Sequence, residues 1–122
     1  MRAHAVALLF VFVAGGALAE TPEPEVCVAT PEEVTLTKAT VARMVRRPDL
    51  SPIYSQVDRA EGCGVWRVTV TPKGTIAKLE LIRGQAKPDY ELLLRRPILR
   101  TTFQPSETEW VGMLQFIIKA PD

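Results

Sequence analysis

Glu107 and Glu109 are the nearest this chain comes to a carboxylate pair fit for general acid–base work. They lie in the polar turn "PSETEW", where two solvated loop carboxylates are the simpler reading. Histidine, the commonest general base and zinc ligand, occurs once, as His4 in an apolar N-terminal stretch. Cys27 and Cys63 cannot build a zinc site without carboxylates at suitable spacing. Neither cysteine, nor any serine, stands in a nucleophile-elbow or Cys-His setting. Gly62-x-Gly64 precedes a strand pattern and opens no helix, so it cradles no phosphate. No metal or cofactor is expected, and the residue types point away from an enzyme.

The N-terminus sets the compartment. Met1-Arg2 is followed by an unbroken run of apolar or small residues over 5–19, ending in Ala17-Leu18-Ala19 before Glu20. That is the small-x-small pattern cut by a signal peptidase. The run is short for a membrane-crossing helix, which needs roughly 20 residues. Residues 1–19 therefore read as a signal peptide, with no membrane span after cleavage; the alternative is an uncleaved inner-membrane signal-anchor. In an oxidising compartment an even cysteine count favours one disulfide, Cys27 to Cys63, against the alternative of two free thiols.

The charges exclude another class. Lys+Arg number 15 and Asp+Glu 14, a net charge of +1, and removing Arg2 with the leader leaves the balance near zero. A nucleic-acid binder normally carries a basic excess. The aromatic residues fall at core spacing and make no stacking platform.

Residues 20–33, "ETPEPEVCVATPEE", read as an acidic, Pro-rich linker ahead of a domain at 34–122. Thr30-Pro31-Glu32-Glu33 has the form of a capping box, but the β-branched "VTLT" behind it argues against a helix there. Thr37 is the preferred start, with Leu36 and Val41 as a hydrophobic staple, Val41, Met44 and Val45 on one face, and Pro48 as the stop. Arg43, Arg46 and Arg47 enrich its last turn, as a solvated face or a partner patch.

In "CGVWRVTVTPKGTIAKLELIRG" (63–84) two alternating runs flank Pro-Lys-Gly, predicting a hairpin 65–71/76–82. Keeping apolar residues on one face pairs Trp66 with Leu81, Val68 with Leu79 and Val70 with Ala77. Residues 88–99 read as a helix striped by Tyr90, Leu93, Leu94 and Ile98, with Pro97 expected to kink or stop it. "WVGMLQFIIK" is a last strand: Trp110, Leu114, Phe116 and Ile118 line one side, and Val111, Met113 and Ile117 make the other apolar too.

This order resembles the C-terminal domain of the TonB energy-transducer family. Its pattern runs Tyr-Pro, Gly-x-Val-x-Val-x-Phe-x-Val, a Pro-x-Gly turn, a second strand, an aromatic-led helix, Arg-Trp-x-Phe-x-Pro and a final strand. Tyr54, Gly62, Trp66, Val68, Val70, Pro72, Gly74, Ile76, Leu79, Leu81, Tyr90, Arg100, Phe103 and Pro105 fall at its spacing, so the likeness covers a core of 54–119. Ser55, Gly64, Thr101 and Pro97 depart from it. A full transducer also keeps a membrane anchor and a long Pro-rich spacer, where this chain has a cleavable-looking leader and a short linker.

The expectation is an α+β fold of TonB C-terminal type: a three-stranded antiparallel sheet (ββαβ), in order second-first-third, with the 88–99 helix on one face. That order leaves the last strand on an edge. The resemblance implies a non-enzymatic periplasmic module for energy-dependent transport through outer-membrane receptors. It would bind an extended partner segment by β-augmentation along Trp110, Val111, Gly112, Met113, Leu114, Gln115, Phe116, Ile117 and Ile118. A TonB-dependent outer-membrane receptor or a second copy of the chain is the implied partner. A cell-envelope structural or assembly adaptor sharing the fold, or an exported inhibitor, is the alternative.

Overall fold

The computed structural model describes residues 7–10 and 27–119. The expected cleavage site at 17–19 and the acidic stretch 20–26 lie outside the described residues. The elements are β1 (Ala7–Phe10), α1 (Pro31–Ala42), β2 (Met44–Arg46), α2 (Ser51–Tyr54), α3 (Val57–Ala60), β3 (Gly62–Val70), β4 (Ile76–Ala86), α4 (Asp89–Leu99), β5 (Thr102–Phe103) and β6 (Trp110–Lys119). The chain is thus a mixed α+β protein. Its antiparallel sheet takes the expected β6-β3-β4 order, extended by β1 outside β6, while β2 and β5 form a separate ribbon. Among the described residues no helix is long and apolar enough to cross a membrane.

The hairpin forms because its alternation buries Trp66, Val68 and Val70 on one face. Trp66 pairs with Leu81 and Val68 with Leu79, as the patterning requires. The expected partnership of Val70 with Ala77 is wrong. The register shifts after Thr69 and Lys78, Val70 faces Ile76, and Ala77 bulges out exposed. The bulge brings Ile76 into contact with the core, and isoleucine buries far more apolar surface than alanine. A second shift beyond Trp66 sets Val65 opposite Arg83. At the turn, the Gly74 amide donates to the Thr71 carbonyl (2.9 Å), and Gly74 takes φ 92, the conformation its lack of a Cβ permits.

The first helix departs most from the sequence reading. It starts at Pro31, not Thr37, and ends at Ala42; Met44 to Arg46 leave it to pair with β5. The Thr30 capping box forms after all: Thr30 Oγ1 accepts from the Glu33 amide (3.1 Å), and Glu33 Oε1 accepts from the Thr30 amide (3.0 Å). Tertiary contacts outweigh the β-branched propensity, since Thr37 and Thr40 are buried and the helix lies against β6. Glu33 also takes a forked pair of bonds from Arg83, Nη1 to Oε2 at 2.7 Å and Nη2 to Oε1 at 2.6 Å. The expected linker therefore enters the fold at Cys27, which is fully buried, well before residue 34.

The Arg83 hydrogen bonds hold the Glu33 carboxyl below its ordinary value of 4.5. A depressed carboxylate stabilises the fold above its unfolded value and loses that contribution as pH falls through the folded one. Glu33→Gln should cost about 1–3 kcal/mol near neutrality, from the charged bonds to Arg83, since glutamine keeps the cap. The gap from wild type should close as chemical denaturation is repeated at pH values well below 4.5.

On the other side of the hairpin, α4 lays Tyr90, Leu94 and Ile98 into the core formed with Trp66, Val68, Val70, Leu114, Phe116 and Ile118. Pro97 does not stop the helix early. It sits in the last turn, where its carbonyl accepts from the Arg100 amide (3.3 Å) and the Thr101 hydroxyl (3.4 Å). Tyr90 is the polar pivot of the core: its hydroxyl donates to the Phe116 carbonyl (2.9 Å) and accepts from Trp66 Nε1 (3.2 Å). Burial raises the Tyr90 phenol far above its ordinary value of 10.0.

In the unfolded chain that phenol ionises near 10, so stability should fall above that pH by about 1.4 kcal/mol per unit. Urea unfolding of wild type and Tyr90→Phe below and above pH 10 isolates the slope. A difference between the two that does not change with pH contradicts the buried assignment.

Candidate functional site: the outer edge of the last strand

β6 is apolar on both sides because both are covered. Leu114, Phe116 and Ile118 face the α4 core, and Met113, Gln115 and Ile117 on the opposite face are buried as well. Cys27 packs with Cys63 and Ile117 on that second face, and the Gln115 side-chain amide donates to the Cys27 carbonyl. Cys27 and Cys63 stand at disulfide distance, with Cα atoms 5.8 Å apart. Of the nine positions expected to offer a pairing edge, only Val111 is exposed, at 57 %. Trp110 is half-buried, edge-on to Phe103 with ring centroids 5.4 Å apart, and Arg43 lies 4.0 Å above its ring.

The backbone edge, as distinct from the side chains, divides into two halves. The Met113 amide points away from β3 and donates to Thr40 Oγ1 (3.1 Å), so α1 closes the first half. Gly112 does not leave room for a second backbone: a Cβ there would collide with Thr40 and the Trp110 ring. Along an antiparallel strand every second amide points the same way. The amides of Gln115, Ile117 and Lys119 therefore share the outer side with Met113. On this second half β1 is seated antiparallel, with Phe10 opposite Phe116, Leu9 opposite Ile117, Leu8 opposite Ile118 and Ala7 opposite Lys119. The expectation that β6 stands as a bare edge is corrected: a segment of the N-terminal apolar run caps one half and Thr40 the other.

Two of these contacts had no local signal in the sequence. Thr40 reads as one more β-branched residue in an unpromising helix, and the Cys27 carbonyl is invisible to side-chain patterning. The remaining motif residues spread over the molecule. Tyr54 ends α2 with half its surface exposed, Phe103 is buried beneath Trp110, and Glu107 and Glu109 stand exposed on the loop before β6. Among the described residues no group of His, Cys, Asp or Glu is placed to hold a metal ion. In comparisons with known proteins, no family model and no curated protein matches this chain.

Proposed function

We propose that this chain is a non-enzymatic, TonB-like interaction module of the periplasm, which binds an extended partner segment by β-augmentation on the second half of β6. Its role would be in energy-dependent transport through outer-membrane receptors. The single observation that carries the binding mode is the seating of β1: the edge at 116–119 accepts an added antiparallel strand, here Ala-Leu-Leu-Phe. Cleavage after Ala19 would remove that strand and leave the outward amides of Ile117 and Lys119 free to pair. An unpaired apolar edge is a template for another chain, and soluble proteins otherwise blunt such edges with charge or cover. The partner segment is accordingly short, apolar and antiparallel, because Thr40 blocks any extension past Met113.

The test uses Ile117→Pro and Lys119→Pro, each removing one outward donor without touching the bonds to β3. Wild type and variants, purified after export, are used as bait against envelope extract, with circular dichroism as the folding control. Lys119 is exposed at the strand end, so its variant should stay folded and lose most of the captured receptor. Capture of soluble envelope proteins in place of outer-membrane receptors would turn the reading to an assembly adaptor. Undiminished capture by both folded variants would falsify edge pairing. Loss of a dimer in place of a receptor would identify the partner as a second copy.

A further inference from the structure

The pairing of β2 with β5 places Arg46 opposite Thr102, two residues past Arg100 at the C-cap of α4. This gathers two basic stretches that lie far apart in the chain. Over 43–50 and 95–104 the arginines are Arg43, Arg46, Arg47, Arg95, Arg96 and Arg100, and the only carboxylate is Asp49. Arg95 pairs with Glu91, and Arg43 rests on Trp110. The side chains of Arg46, Arg47, Arg96 and Arg100 have no ion-pair partner among the described residues, whereas the hairpin and the sheet's far end are laced with ion pairs. Asp49 offsets one of these charges and leaves the group net basic. Its carboxyl takes the Ser51 hydroxyl (2.7 Å) and amide (3.1 Å), and those bonds first, then the fields of Arg46 and Arg100, hold it below its ordinary range.

Apolar side chains stand exposed beside these arginines in the chain: Val45, at 65 %, in β2, and Leu99, at 42 %, next to Arg100. Exposed aliphatic residues among unpaired arginines match a bilayer surface, where guanidinium groups meet anionic headgroups and short apolar side chains enter the interface. Nucleic acid fits worse. The chain is nearly neutral overall, and the neighbouring aromatic, Trp110, already lies beneath Arg43.

We infer that the face formed by β2, β5 and the end of α4 docks on an anionic lipid surface through Arg46, Arg47, Arg96 and Arg100, flanked by Val45 and Leu99. The attachment is peripheral. The face lies at the Trp110 end of β6, and the pairing edge at 116–119 is about 20–30 Å further along the strand. Docking therefore leaves that edge free.

The exported full-length mature protein is mixed with vesicles of phosphatidylcholine alone, or of phosphatidylcholine with phosphatidylglycerol, and sedimented at low and high salt. Binding should require phosphatidylglycerol and fall steeply with salt. Arg46→Gln and Arg100→Gln should each weaken it about fivefold, and Val45→Ser should weaken it without changing the salt slope. Lys78→Gln, on the hairpin beside Glu80, should leave it unchanged. The inference is overturned by absent binding, by equal binding to both vesicles, or by arginine variants that bind like wild type. Binding to an acidic polyglutamate peptide without binding to anionic vesicles would overturn it equally and identify a protein partner. Envelope capture by the β6 edge can succeed or fail independently of every one of these outcomes.

Discussion

Cys63→Ser is expected to lower the melting temperature by roughly 15–25 °C. Cys27 and Cys63 are 36 residues apart in sequence, and closing a loop of that length removes about 3–4 kcal/mol of unfolded-state entropy in the chain-entropy treatment. A domain of this size shifts by roughly 4–8 °C per kcal/mol. The bond also matters for where it lies. It would tie the entry segment to the start of β3, beside Ile117 and the Gln115 contact to the Cys27 carbonyl. Its loss should therefore loosen the second face of β6 before the α4 core. Hydrogen exchange should show the Met113 amide, bonded to Thr40, losing protection ahead of Trp66 and Val68. Protein recovered after export with two alkylatable thiols would contradict the bond itself, and a variant that melts with wild type would contradict its weight.

Gly64→Val should be nearly as damaging, at about 3–4 kcal/mol. Gly64 stands where the packing leaves no room for a side chain. A Cβ on Gly64 would come within 2.7 Å of Leu81 Cδ1 and 2.8 Å of the Tyr90 hydroxyl. Overfilling a tight core typically costs about 1–3 kcal/mol. Displacing the hydroxyl also strands Trp66 Nε1, a buried donor whose acceptor is Tyr90, for about 1–3 kcal/mol more. Tyr90→Phe alone should cost only that second part, because the ring keeps its place. The pair Gly64→Ala and Tyr90→Phe separates the two effects: with the hydroxyl gone, the alanine methyl should cost less than in the wild-type background. Simple additivity in urea denaturation would mean that the glycine is not there to seat the tyrosine.

The period-two alternation of Trp66, Val68 and Val70 determined the hairpin and its buried face, Pro72 and Gly74 determined its turn, and Tyr90, Leu94 and Ile98 determined the helix that covers it. These signals lie within a few residues of one another and survive in any tertiary setting. Poverty in histidine and paired carboxylates was equally legible, because composition does not depend on folding. Tertiary structure decided the rest. Local propensity started α1 at Thr37, but Glu33 gains Arg83 from 50 residues away, and Thr40 gains the Met113 amide from 73 away, so the helix starts at Pro31. Alternation alone matched Val70 with Ala77, but the core rewards burial of Ile76, and one bulge changes the register. The edge of β6 was legible only as a strand in need of cover. Which groups cover it, Thr40 on one half and Ala7–Phe10 on the other, is set by backbone amides whose direction no side-chain pattern encodes, and which take whatever acceptor the fold brings within reach.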